Sequence, residues 1–162
     1  MLRLLAVALL LPTLASAQGT NDAVLCQQGN GTLLTGSVAT EPVFKGAEHK
    51  TKGVYLSHTH FTLKGDNGTS YDVAVDNVFA GGYTKNLPKI PAPLTTIHAG
   101  DKVELCGRPY TGGDTGIHWV HNNCGETPVG DQADGWVKKI APDGSLGENM
   151  EANRAFCSIF SH

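Results

Sequence analysis

The sequence predicts an all-β domain: a small OB-like five-stranded barrel with a long loop after the third strand and a short C-terminal helix. A two-sheet β-sandwich is the alternative. Three observations carry the prediction. Glycine is abundant, with 20 residues spread along the chain, and frequent Val and Thr accompany it, a composition of short strands and turns. Apolar residues alternate in short segments instead of recurring at helical spacing. Asn67-Gly68, a strong hairpin signal, joins the two clearest alternating runs.

The elements follow in order. Thr32–Val38 reads as a first strand, curved at Gly36. Glu41–Lys52 is a charged loop. Val54–Lys64 and Ser70–Val78 form the hairpin around Asn67-Gly68; Tyr55, Phe61 and Leu63 share one face, as do Tyr71, Val73 and Val75. Gly81–Pro93 has three prolines, a Gly-Gly step and no periodicity, and is the long loop. Lys102–Arg108 and Gly116–His121 make a second hairpin through a Gly112-Gly113 turn, and Trp136–Ile140 is a short strand. Gly147–Phe160 is the one helical stretch, with Ala152, Ala155, Phe156 and Ile159 on one stripe.

The chain has 162 residues, of which Met1–Ala17 read as a secretory signal peptide: Arg3, the apolar run Leu4–Leu11, and Ala15-Ser16-Ala17 as the cleavage site. Residues 18–31 are then a flexible N-terminal segment, and 32–162 a single disulfide-stabilised β domain. The apolar run is too short to span a bilayer, and no membrane span is predicted. Without Arg3, 11 basic residues face 15 acidic ones, a net charge of −4, and no Lys/Arg run exceeds two. Nucleic-acid binding is therefore disfavoured. Cys26, Cys106, Cys124 and Cys157 in an exported chain point to two disulfides and a secreted or periplasmic location. Three pairings are open; Cys26–Cys106 with Cys124–Cys157 keeps the loops nested. Asn30 and Asn67 head N-glycosylation sequons, which matter in a eukaryotic secretory pathway.

Histidine is the informative residue type. His58 and His60, two apart on a strand, point to one face, opposite Phe61 and Leu63. His118 and His121 flank Trp119, and a bulge or strand end at Val120 would bring them together. Imidazoles at such spacing, with Asp76 as a further ligand, form a candidate site for a zinc-like divalent metal. Asp72, Asp76 or Asp114 would orient the rings. Trp119 and Trp136 are candidate ligand-binding aromatics, though packing explains each as well. No G-x-S-x-G, P-loop or C-x-x-C occurs.

Ile117-His118-Trp119-Val120-His121 followed by Asp134-Gly135-Trp136-Val137 resembles a mostly bacterial secreted family with no assigned activity. Its signature runs Ile-His-Trp-Thr-His-His-Asp and then Gly-Trp. His58-Thr59-His60-Phe61, Val75-Asp76-Asn77-Val78 and Gly100–Gly107 look like its other conserved stretches, and the similarity spans about Thr32–Val137. Asp76 and Asn122 stand where that family has histidines. The resemblance implies a small exported β domain with a polar His/Trp patch. The expected function is a binding module whose His/Trp-lined cleft takes a small molecule, glycan, peptide or metal ion. A metal-dependent hydrolase, acting on phosphodiesters or nucleic acid with His60, His118, His121 and Asp76 around the ion, is the alternative.

Overall fold

A computed structural model of the chain describes residues 15–47, 50–110, 115–130 and 132–159. Most of the signal-like segment, the Gly112-Gly113 turn and Asp114 lie outside them. The elements are α1 (Ala15–Gln28), β1 (Thr32–Val38), β2 (Val43–Lys45), β3 (Lys50–Thr51), β4 (Val54–Tyr55), β5 (His58–Gly65), β6 (Ser70–Asp76), β7 (Lys102–Pro109), β8 (Gly116–Val120) and β9 (Trp136–Ile140).

Five strands close on themselves in the order β1-β5-β6-β8-β7 and back to β1. All neighbours are antiparallel except β6 and β8, which run parallel. This is the OB-like barrel; the β1–β7 pairing closes the ring and excludes the open two-sheet sandwich. β2 lengthens the β1 side of β5, opposite His58–His60. β9 pairs with Lys102–Cys106 of β7, while β8 takes only Arg108 and Pro109.

Alternation fills the barrel. Phe61, Leu63, Val73, Val75, Val103, Leu105, Ile117 and Val120 point inward and are buried, and Leu94 and Ile97, just after the long loop, join the same core. Burying each such side chain stabilises by about 1.5–3 kcal/mol. Gly36 is paired on both sides, with Gly65 and Val103. A Cβ there would lie 2.3 Å from the Lys64 carbonyl oxygen, so β1 can bend between its neighbours only as glycine.

The structure differs from the sequence reading in four places. Val54–Lys64 is two strands: β4 pairs with β3 in a separate small sheet, and the barrel strand starts at His58. Tyr55 therefore leaves the Phe61/Leu63 face and lies exposed beneath the Lys50 ammonium, 4.5 Å from the ring centre. β6 stops at Asp76, whose carboxylate accepts a 3.0 Å hydrogen bond from the Val78 N–H and caps a 3₁₀ turn, Asn77–Phe79.

The expected helix at Gly147–Phe160 is reduced to a 3₁₀ turn at Cys157–Ile159. Its amides go elsewhere: Gly147, Met150 and Asn153 N–H groups donate to carbonyls of Lys139, Val137 and Phe79. The Asn149 and Asn153 side chains accept from the N–H two residues on, a local bond that competes with helix. The α-helix lies at the other end, where Gln18–Gly31 reads as loose. α1 closes at Asn30, in the left-handed region at φ 60°, with Gly29, Asn30 and Gly31 amides returning to the last turn. It is tied down covalently and by charge. Cys26 bonds Cys106, and Asp22 pairs with Lys138 at 2.5 Å. The second disulfide, Cys124–Cys157, anchors the tail.

Candidate functional site

The barrel hairpin sets one face of the site. Along β5, Thr59 and Phe61 point inward, so His58, His60 and Thr62 point outward. The register places His58 opposite Asp76, His60 opposite Ala74 and Thr62 opposite Asp72, so both carboxyls share the outer face with the histidines. Thr59 Oγ1 and Asn77 Oδ1 lie 2.5 Å apart, and Asn77 Nδ2 donates to Ser57 Oγ at 3.2 Å, a buried polar lock at the start of β5.

β8 supplies the other face through a bulge. Ile117 pairs with Val73, but Val120 pairs with Val75, so one extra residue is accommodated between them. The extra residue is Trp119, at φ 54°, one position before the bulge the sequence suggests. Ile117 and Val120 both stay in the core, and His118 and Trp119 turn out of it. Such a φ is unfavourable for a bulky residue and marks a position that its surroundings impose. Gly135 supports it: its N–H donates to the His121 carbonyl at 2.6 Å. A Cβ on Gly135 would sit 2.4 Å from both the Cys106 and the Trp119 carbonyl oxygens.

These two faces meet in a cleft of about 220 Å³ lined by Leu56, His58, Asp76, His118, Trp119 and His121. Trp119 and His121 rings lie 5.0 Å apart at a 38° tilt, and His121 stacks on buried Phe79 at 4.6 Å. Tyr110 packs against His118 at 4.9 Å. His121 Nδ1 is 2.8 Å from the Asn122 carbonyl, so a neutral ring carries its proton there.

Burial governs the charges. It lowers the His58 imidazolium to about 4, helped by the positive charges that His60, His121 and His118 would carry. It lowers His121 to about 4 as well, against the opposing pull of the Asn122 carbonyl and Asp134. It raises Asp76 to about 7, against the Val78 N–H. Glu151, on the tail, is completely buried, and neither carboxyl oxygen has a hydrogen-bond partner among the described residues. Burial first, and then the Asp76 charge, raise its pKa well above the usual carboxylate range. Asn122 holds the tail there, donating to the Glu151 and Asn153 carbonyls at 2.9 and 3.2 Å.

Of the residues singled out in the sequence, His58, Asp76, His118, His121 and Trp119 come together. His60 stays next door. Its ring packs edge-on against His58 at 6.0 Å, and its Nδ1 lies 3.3 Å from Asp72, in a separate depression shared with Thr40, Glu41 and Lys45. Trp136 packs elsewhere, its indole N–H donating to Glu104 at 3.2 Å and its ring beneath the Lys138 ammonium. Among the described residues, no group of three or more His, Cys, Asp or Glu is arranged to hold a metal ion. Leu56, Phe79 and Glu151 escape a sequence reading. An acid in an Asn-rich, Gly-containing tail reads as solvated, and no local pattern marks Glu151 otherwise. Comparison with protein-family models, with curated proteins and with solved structures gave no match, so the geometry of the cleft carries the functional reading.

Proposed function

We propose that the protein is an exported binding module that holds a small ligand in the Trp119 cleft. One observation carries this reading: His58, Asp76, His118, Trp119 and His121 converge from three barrel strands on a single 220 Å³ recess. The recess lies on the outer face of β5 and β6, the second and third barrel strands, where OB-type barrels bind. A concave site with an aromatic wall and a few convergent polar groups of shifted pKa is what small-ligand recognition needs. Export is supported by the signal-like Met1–Ala17 and by the two disulfides, which suit an oxidising compartment. No helix among the described residues is long and apolar enough to cross a membrane.

The hydrolase reading needs an ion held by His60, His118, His121 and Asp76, and His60 lies outside the recess that holds the other three. The binding reading is tested by titrating the protein with a panel of small aromatic, sugar and amine probes and Zn²⁺, following the ring resonances of Trp119 and the histidines. Binding at these resonances that His118→Ala weakens without changing the melting temperature supports the cleft. A His118→Ala variant that melts earlier and binds as before assigns His118 to packing.

A further inference from the structure

We infer that the ligand of this cleft is a small organic ammonium cation, with Asp76 supplying the counter-charge and the Trp119 face the cation–π wall. The inference rests on the binding reading above and goes to the ligand's chemistry. The lining sets the sign: one carboxyl, three imidazoles, an indole and a leucine, with no lysine or arginine among the described lining residues. Burial keeps His58 and His121 from adding positive charge, so they contribute ring nitrogens instead. His121, whose Nδ1–H is spent on the Asn122 carbonyl, is a neutral ring that adds no charge to repel a cation.

A second acid stands behind the first. Glu151 is fully buried with both carboxyl oxygens unpartnered among the described residues, and it lies within electrostatic reach of Asp76. Neither carboxyl has a cationic partner among the described residues, so a positive charge entering the adjoining recess would favour the ionised form of both. The indole adds to this, because the negative face of Trp attracts cations most strongly among aromatic side chains. Size narrows the choice. Pockets for drug-sized ligands run about 300–1,000 Å³, so 220 Å³ suits a single ammonium head group with a short apolar attachment. Leu56 provides the apolar contact for that attachment.

The experiment uses four probes on the intact, disulfide-bonded protein at pH 7.5: benzylammonium, tetramethylammonium, benzyl alcohol and benzoate. Binding is read from the Trp119 indole N–H resonance, assigned in a Trp136→Phe background. The expected result is that both cations bind at this resonance, with benzylammonium about tenfold tighter than benzyl alcohol, and that benzoate does not bind. Asp76→Asn should cost the cations about tenfold and leave benzyl alcohol unchanged. Trp119→Ala, followed at the histidine ring resonances instead, should weaken all three binders, and folding of each variant is checked by its β-sheet circular dichroism. If benzyl alcohol or benzoate binds as tightly as the cations, the cleft is a binding site and the cation assignment is overturned. Cation binding that survives Asp76→Asn intact overturns it equally. If no probe perturbs the resonance, the cation inference and the binding reading fall together.

Discussion

Asp76→Asn should tilt the dependence of stability on pH, and the size of the tilt follows from the fold. Asp76 is 5% exposed, and burial raises its carboxyl from 3.8 to about 7. The folded protein therefore keeps a proton that the unfolded chain gives up between those two values. A carboxyl raised in this way contributes its full stability below the unfolded pKa and loses it as pH rises to the folded one. The loss is about 1.4 kcal/mol per pH unit, roughly 4 kcal/mol in all by pH 7.5. The wild-type profile hides this. His58 and His121, lowered from 6.5 to about 4, lose stability as pH falls through the same window and slope the opposite way. Subtracting wild type from the variant cancels the histidines. The Asn amide oxygen can still accept from the Val78 N–H, so the 3₁₀ cap survives. Urea unfolding with disulfides intact, from pH 4.5 to 8, should show the variant gaining on wild type by about 1.4 kcal/mol per unit up to pH ~6.5 and levelling above 7. Any constant offset from the substitution drops out of the slope. A difference that is flat with pH, or that falls as pH rises, would refute the buried, proton-holding Asp76.

Other consequences are simpler to measure. Thiol titration of the denatured, unreduced protein should find no reactive cysteine. Replacing Cys26 and Cys106 by Ala should lower the unfolding free energy by about 4.5 kcal/mol, and replacing Cys124 and Cys157 by about 3.7, from loops of 80 and 33 residues; equal losses would argue against the loop-closure origin. Gly135→Ala should destabilise by about 1–3 kcal/mol or more and shift the Trp119 indole resonance, since the added carbon meets two carbonyls; a variant as stable as wild type would show that this junction relaxes freely. Asn122→Ala should cost about 2–3 kcal/mol and speed hydrogen exchange at Met150 and Asn153 amides, because it removes two donors that hold the tail; unchanged exchange would place the tail's anchor elsewhere.

What the sequence reveals is what local chemistry controls. The β5–β6 hairpin is legible because strict alternation meets a turn that demands φ > 0, and Gly68 sits at φ 83°. The disulfide pairing is legible because both loops nest. Barrel closure is legible from strand count and hairpin order. The unread parts are held by tertiary partners. α1 has almost no apolar stripe and stands on Cys26–Cys106 and the Asp22–Lys138 pair, neither of which leaves a local trace. The tail carries an apolar stripe at helical spacing, yet its amides find better acceptors on β9 and at Phe79. Within the site, the shared face of His58 and His60 follows from their spacing. Their separation into different depressions depends on where β2 and Trp119 lie, and only the folded chain decides that.

The cleft is also where the chain departs most from the rules that the rest of it follows. Elsewhere, buried polar groups are paired: Thr59 with Asn77, Asn77 with Ser57, Asn122 with the tail carbonyls. At the cleft a tryptophan takes a left-handed backbone and Asp76 is buried with an amide hydrogen bond from Val78; behind it the Glu151 carboxyl has no hydrogen-bond partner among the described residues. A leucine or methionine in place of Glu151 would fill the same fully buried position without a carboxyl to desolvate. Stability alone therefore does not account for these residues. Unfavourable features that cluster around one recess are what the proposed binding role would explain. The direction of the departures adds to this. They place two buried carboxyls near an aromatic face, and a cation is the species whose binding would favour their ionised form.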